Sequence, residues 1–428
     1  MQIHVAKPGD TLYAVARAYG IEPRILAGLN GLGEAARLAV GQALVVRFPA
    51  LVHTVVPGDT LYTVARRYGT DIRTLCRNNY PLGGRDVLRP GEPLVIRYAD
   101  GARLGALEAN AYAYPFIGGA QLDAALPYLT YLTPFTYGFT QDAELVPLRD
   151  TALLSAASRQ GVAPLMHLST LTEDGGFSNE RSSQLLGSEA MQDKLIRNLT
   201  ATLRQKGYYG LDVDFEFVFP QERVLYADFI RRVRDALNPL GFPVLVALAP
   251  KTRSDQPGLL YEAHDYTLLG AAANAVLLMT YEWGYTYGPP MAVAPLPQVR
   301  AVLDYAVREI EREKIFLGVP LYGYDWPLPY VRGETRAESL SPQFALELAL
   351  ENRAEILYDE DAQSPYFYYT DRTGRAHAVW FEDARSIEAK LRLVAEYGLR
   401  GVGYWSLMRD MPQNWTVLHA LYDVKTML

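Results

Sequence analysis

The sequence predicts an α/β protein: a (β/α)8 barrel carrying a small α+β insertion, preceded by two small βααβ modules. Three observations lead there. Over residues 104–428 short apolar segments alternate with amphipathic helical patterns, as in a parallel sheet whose strands are joined by helices. The first hundred residues contain a near-duplicate. The connection between the seventh and eighth apolar segments is far too long for one crossover, which implies an inserted unit.

The modules come first in the chain. Residues 5–20, VAKPGDTLYAVARAYG, return as residues 54–69, TVVPGDTLYTVARRYG, and the register persists to Asn30 and Asn79. Each unit closes on an apolar strand, near residues 43–46 and 93–96. Asp10 and Asp59, or the threonines after them, suit helix N-caps, and Gly20 and Gly69 suit the position past a helix end. These features delimit two units, residues 1–48 and 51–98. Both resemble LysM modules, which bind glycans containing N-acetylglucosamine. The resemblance implies a shallow groove formed by Gly9, Asp10, Thr11 and Leu12 with Asn30 in one unit. In the other it implies Gly58, Asp59, Thr60 and Leu61 with Asn79, followed by Tyr80, Pro81 and Leu82. Two weak sites in tandem raise avidity, and on this reading the modules act purely as a targeting device that leaves a soluble barrel when removed.

Strands of the barrel are expected near residues 109–114, 131–137, 163–168, 207–214, 243–248, 275–281, 315–320 and 401–405. Helical patterns fall between them, for example at 190–206, 222–237, 297–312 and 383–397. In such a barrel the active site lies at the C-terminal ends of the strands. The inserted unit, about residues 324–381, reads as a helix near 342–351 with strand-like pieces at 356–358, 366–369 and 378–381. Asp371-Arg372-Thr373-Gly374 forms a hairpin turn between the last two.

The chemistry is concentrated in Tyr209-Gly210-Leu211-Asp212-Val213-Asp214-Phe215-Glu216-Phe217. Strand alternation puts Asp212, Asp214 and Glu216 on one face, with Leu211, Val213, Phe215 and Phe217 on the other. Crowded carboxyl groups raise one another's pKa, a common route to an acid that keeps its proton near neutral pH. The run resembles the DGxDxDxE strand of family 18 glycoside hydrolases, with Tyr209 in place of the first Asp. Met279-Thr280-Tyr281-Glu282 resembles that family's MxYD motif, with Glu282 for Asp, and Gly403-Tyr404-Trp405-Ser406 resembles its eighth strand. The resemblance implies a TIM barrel in which Glu216 is the proton donor, and Asp214 orients the substrate's 2-acetamido group and stabilises the oxazolinium ion. It further implies that Asp212 shares a proton or hydrogen bond with Asp214, and that Tyr281 holds the acetamido oxygen. Trp405 would form the floor of the sugar site, with Met279 and Glu282 completing it. The inserted unit resembles one found in a branch of the same family and would deepen one wall of the groove.

Composition excludes several alternatives. A net charge of −7 over 428 residues, without a Lys/Arg-rich patch, argues against a nucleic-acid partner. The single cysteine, Cys76, cannot form a disulfide within the chain and is expected to pack as a small apolar residue. Six histidines form no metal-ligand spacing, so no metal or other cofactor is expected; His167 faces the pocket or serves as a hydrogen-bonded structural residue. No segment is apolar enough to span a membrane, and the chain opens on the first repeat without a classical signal peptide. Two LysM modules before a family 18 domain are similar to the architecture of the spore cortical-fragment-lytic N-acetylglucosaminidases. The expectation is thus a glycosidase acting on bacterial peptidoglycan at the spore coat or cell-wall surface. A chitinase and a non-catalytic glycan-binding lectin are the competing readings, and retention of Glu216 argues against the lectin.

Overall fold

The computed structural model describes residues 1–80, 82–84 and 87–428. Eight parallel strands close into a ring: β1 (Gly105–Ala113), β2 (Tyr131–Pro134), β3 (Ala163–Ser169), β4 (Gly210–Asp214), β5 (Val244–Leu248), β6 (Ala275–Leu278), β7 (Ile315–Pro320) and β8 (Gly401–Trp405). Neighbours in sequence are neighbours in the ring, and β8 pairs with β1 to close it. Alternation along each strand divides the apolar residues between two layers. Tyr112, Leu165, Leu245, Leu277 and Phe316 fill the barrel interior, while Leu211, Val213, Val246 and Val319 belong to a larger cluster between the strands and the outer helices.

The insertion is a five-stranded antiparallel sheet, Gly323–Pro327, Glu338–Leu340, Leu357–Asp359, Ser364–Thr370 and Ala376–Trp380, with the helix Pro342–Glu351 packed on it. Its last two strands form the expected hairpin, closed by Asp371 N–H to the Arg375 carbonyl at 2.8 Å.

Each N-terminal module is a strand–helix–helix–strand unit, Gln2–Val5, Leu12–Ala18, Pro23–Leu29 and Ala43–Val46 in the first, and Pro49–Thr54, Leu61–Tyr68, Ile72–Asn78 and Pro93–Tyr98 in the second. Thr11 and Thr60 are the N-caps, each accepting a backbone N–H three residues on. The aspartates have a different task. Asp10 accepts the Lys7 N–H and faces His4 Nε2 at 3.0 Å; Asp59 accepts the Val56 N–H and faces His53 Nε2 at 2.7 Å. His4 and His53 in turn meet the hydroxyls of Tyr19 and Tyr68, so one histidine-centred brace holds the glycine loop in both units.

The modules are not separate appendages but pack against the barrel. The C-terminal helix Pro412–Leu421 is buried along residues 413–421, sandwiched between barrel and modules. Gln413 Nε2 donates to Asn30 Oδ1 at 2.9 Å, Thr416 Oγ1 to the Leu29 carbonyl at 2.8 Å, and His419 Nε2 meets Asn78 Oδ1 at 3.0 Å. Tyr80 donates to Asp410 at 2.8 Å, and Arg77 to the Pro127 carbonyl at 2.6 Å. At Gly41 a Cβ atom would lie 1.9 Å from the Ile356 carbonyl oxygen, so the first module approaches the insertion closely enough to require glycine. Cys76, in the second module, is buried as expected of a small apolar residue, and its carbonyl lies 3.3 Å from the Tyr128 hydroxyl.

Deleting residues 1–98 should therefore expose Trp415, His419 and the rest of that helix face, giving a protein that aggregates or melts several degrees lower. Thermal unfolding of the truncated and full chains tests this. Equal melting temperatures would mean that the docking contributes nothing to the barrel.

Candidate active site

β4 carries the acids because its alternation turns Leu211 and Val213 toward the helices and Asp212 and Asp214 into the barrel. The strand ends at Asp214. Beyond it the chain turns toward the short helix at Pro220–Glu222, so the two-residue alternation lapses and Phe217, expected to pack with the apolar face, is 44 % exposed. Glu216 sits in this turn at the mouth of the barrel.

His264 holds the turn. Ala249 donates its N–H to His264 Nδ1 at 2.9 Å, so Nδ1 is the acceptor and Nε2 carries the proton. That N–H is shared between the carbonyls of Phe215 and Glu216, at 3.1 and 3.0 Å. Burial lowers His264 to about 4, which keeps it neutral and preserves this arrangement near neutral pH.

Asp212 is fully buried, and the Tyr112 hydroxyl donates to its Oδ2 at 2.7 Å. Oδ1 of each aspartate is buried without another partner, and the charge of Asp214 adds to the burial that raises Asp212. Burial pushes Asp214 up to about 7 and, together with the charges of Asp214 and Glu282, pushes Glu216 up to about 8. Asp214 and Glu216 thus retain protons that exposed carboxyls would have released at much lower pH.

Met279, Tyr281 and Glu282 follow β6. Tyr281 leans on Gly318 of β7, where a Cβ atom would meet the Tyr281 ring at 2.9 Å and the Leu278 carbonyl at 2.3 Å. Glu282 adopts φ = 70°, in the left-handed region, and accepts hydrogen bonds from Tyr322 and, at 3.0 Å, from Tyr324. Its carboxylate is thereby held against the first strand of the insertion. Trp405 ends β8, its ring 5.5 Å from Tyr112 and 5.0 Å from Phe135. Asp214, Glu216, Met279, Tyr281, Glu282 and Trp405 line one cleft of about 450 Å³, joined by Arg253, Gln256 and Tyr261 from the loop after β5. Among the described residues no group of His, Cys, Asp and Glu has the makings of a metal site.

A sequence profile described as "Glycosyl hydrolases family 18" matches residues 121–410, and one described as "LysM domain" matches residues 4–47 and 53–97. The chain belongs to glycoside hydrolase family 18. It is 41 % identical to the "Cortical fragment-lytic enzyme" of Bacillus subtilis (strain 168), over 99 % of both chains, and 37 % identical to the enzyme of the same name from Bacillus cereus, over 98 % of this chain and 97 % of that one. The crystal structure of the Bacillus megaterium QM B1551 spore cortex-lytic enzyme SleL superposes with a TM-score of 0.83 at 37 % identity, covering 100 % of this chain and 99 % of that one. This family 18 chain is a glycosidase of the same architecture.

Within the family 18 barrel the structure brings together all seven residues singled out there, Asp212 one layer below the cleft and the other six on its wall. The modules are different. Asn30 Nδ2 donates to the Leu26 and Val45 carbonyls while its Oδ1 accepts the Val45 N–H; Asn79 makes the same three bonds to Leu75 and Val95. Their amides tie the second helix to the closing strand; Asn30 is buried and its Oδ1 also accepts Gln413, whereas Asn79 stays half-buried with one acceptor position of Oδ1 open, and Leu12 is a core residue, 1 % exposed. Gly9, Thr11, Gly58 and Thr60 lie at the surface, with Leu61 half-buried beside them; the Asp10 side chain is 27 % exposed and that of Asp59, at 3 %, is turned into its brace, and Pro81 falls outside the described residues. Tyr112, Tyr322, Tyr324 and His264 were not read from the sequence. The i, i+2 spacing of Tyr322 and Tyr324 carries a signal, whereas His264 sits in an irregular loop without one.

Two outcomes follow from this geometry. Gly318→Ala should displace Tyr281 and lower kcat about 10-fold or more in a folded protein, as assayed on any cleaved glycan. Carboxyls raised by folding bind protons that the unfolded chain has lost, so stability should fall as pH rises from about 7.5 toward 8.5, above the range in which the buried histidines, lowered in the fold, still take protons in the unfolded chain. Urea unfolding should show a negative slope of up to about 1.4 kcal/mol per pH unit for each such carboxyl, flattened in Glu216→Gln.

Proposed function

We propose that the enzyme cleaves the β-1,4 linkage after N-acetylglucosamine in bacterial peptidoglycan, with spore cortex fragments as its substrate, by a retaining, substrate-assisted mechanism. The observation that carries the mechanism is Glu216, a carboxyl pushed up to about 8, standing over an aromatic floor beside Asp214. A group poised this way gives up a proton in the transition state and recovers it in the next step. The cortical fragment-lytic enzymes to which the chain is similar over its full length support the substrate, and the two modules support attachment to a wall glycan.

In this scheme Glu216 protonates the leaving oxygen while the 2-acetamido oxygen attacks the anomeric carbon. The resulting oxazolinium ion faces the ionised Asp214, and Glu216 then activates the water that opens it. Tyr281 holds the acetamido oxygen in line, and Trp405 stacks beneath the sugar. Asp212 stays in the barrel, bonded to Tyr112, and balances the charge of its neighbours. Glu282, fixed by Tyr322 and Tyr324, raises the affinity of Glu216 for its proton and lines the sugar site with Met279. In the modules the exposed loops Gly9-Asp10-Thr11 and Gly58-Asp59-Thr60 are the glycan contacts, next to Tyr13 and Tyr62, which are 63 % and 60 % exposed at equivalent positions of the repeat. The protein acts at the spore or cell wall; among the described residues no helix is long and apolar enough to cross a membrane.

Incubation with purified spore cortex, vegetative peptidoglycan and chitin, followed by mass spectrometry of the new reducing ends, tests the substrate. Cortex should yield fragments ending in N-acetylglucosamine at the highest rate; preferential release of chitin oligomers would replace this reading with a chitinase.

Glu216→Gln should lower kcat about 10²- to 10⁴-fold without loss of glycan binding. Activity should follow a bell in pH, falling on the acid side as Asp214 gains a proton and on the alkaline side as Glu216 loses one. Because the Glu282 charge helps to raise Glu216, Glu282→Gln should move the alkaline limb to lower pH. Substrates with a free amine in place of the acetamido group should be inert, and trapping of a sugar ester on Asp212 or Asp214 would refute the scheme.

A further inference from the structure

Beneath the cleft, one polar atom outside the proposed reaction scheme is buried, unpartnered and aimed at the acids: Nε2 of His167. Strand register sets its place, because His167 of β3 lies directly beside Asp212 of β4 and points into the barrel with it. The ring is wedged edge-on against Tyr112 at 5.6 Å and against Phe135 at 4.7 Å, and none of it reaches solvent. Nδ1 lies 2.6 Å from Thr136 Oγ1, and Nε2 lies 3.6 Å from Asp214 Oδ2.

The acids choose the tautomer. Thr136 Oγ1 also lies 3.0 Å from the Tyr137 carbonyl and 2.9 Å from Ser169 Oγ, so on its own it could donate to Nδ1 or accept from it. An Nε2–H directed at the two β4 carboxyls is attracted, whereas a lone pair there would be repelled, so Nε2 carries the hydrogen and Thr136 donates to Nδ1. Burial holds the imidazole down at about 4, so it faces these acids as a neutral donor. The titratable groups around it are Asp212 and Asp214 from β4 and Tyr112 from β1; the segment just after β2 contributes the uncharged Phe135 and Thr136.

We propose that His167 is the positioning residue for Asp214: a neutral Nε2–H imidazole, oriented by Thr136, that fixes the Asp214 carboxylate and favours its ionised form when a cation develops in the cleft. Glu216 is braced by one buried histidine through its backbone, and Asp214 by another through its side chain. The approach of 3.6 Å closes to hydrogen-bond distance by a small rotation of the carboxylate.

The inference rests on the reading of Asp214 as the anion facing the cyclised substrate, so the test reads the two separately. ¹⁵N NMR of the imidazoles in the wild-type protein at pH 7 should show His167 as the neutral Nε2–H tautomer; an Nδ1–H tautomer or a charged ring overturns the proposal whatever Asp214 does. His167→Leu removes the donor and should lower kcat about 10- to 100-fold with little change in KM, moving the acid limb of the pH profile to higher pH. His167→Gln, which can place an amide N–H near the position of Nε2, should restore part of both. A folded His167→Leu protein with wild-type kcat and pH profile, a loss confined to KM, or a glutamine variant as impaired as the leucine would each overturn it. Asp214→Asn reports on Asp214 alone: retained turnover there would sink the parent reading while leaving the tautomer result standing.

Discussion

Desolvation of carboxyl groups at one end of β4 is the constraint on which the rest of this molecule depends. An ionised carboxylate in an apolar barrel is costly, and the cost is met here by keeping protons on the trio and surrounding it with neutral donors. Tyr112 donates to Asp212, Tyr322 and Tyr324 donate to Glu282, and His264 grips the turn that carries Glu216. Each donor comes from a different strand or loop. The ring of strands therefore acts as the frame in which the acids can be both buried and exact in position, and the large apolar layer behind β4 keeps that frame stiff.

A second consequence of the closed ring concerns its ends. The C-terminal helix returns across the barrel and presents Gln413, Thr416 and His419 to the two N-terminal modules, so the first and last parts of the chain are packed on one another. Asn30 and Asn78 take part from the module side, and Asn79 and Asn30 also brace their own folds. The modules' second loops thus serve the packing of the fold on one side while Leu32, Gly33, Asn79 and Tyr80 line an open cavity between the modules on the other, and the glycine loops lie free at the surface.

Much of this was legible in the sequence because it is periodic. Alternation in 210–214 placed Asp212 and Asp214 inward, and the duplicated GDTLY segment defined both modules and their caps. The same periodicity misled where the strand stopped: Phe217 was assigned to the apolar face by extending an alternation that ends at Asp214. The role of Asn30 and Asn79 as braces between helix and strand is equally hidden, because it depends on main-chain partners 15 and 16 residues away. Tyr112, His264 and Tyr322 were invisible for a related reason. Their partners lie 100, 48 and 40 residues away, and only closure of the barrel brings them together.

The docking of the modules has a geometric meaning for a solid substrate. Were the modules strung on a flexible linker, the cleft would sample a wide shell of positions, and effective concentration would decay smoothly with distance. Packed as they are against the helix Pro412–Leu421 and the insertion, they fix a single footprint. The offset between the module loops and the cleft is therefore a fixed dimension of the fold, set by the same contacts that bury the C-terminal helix.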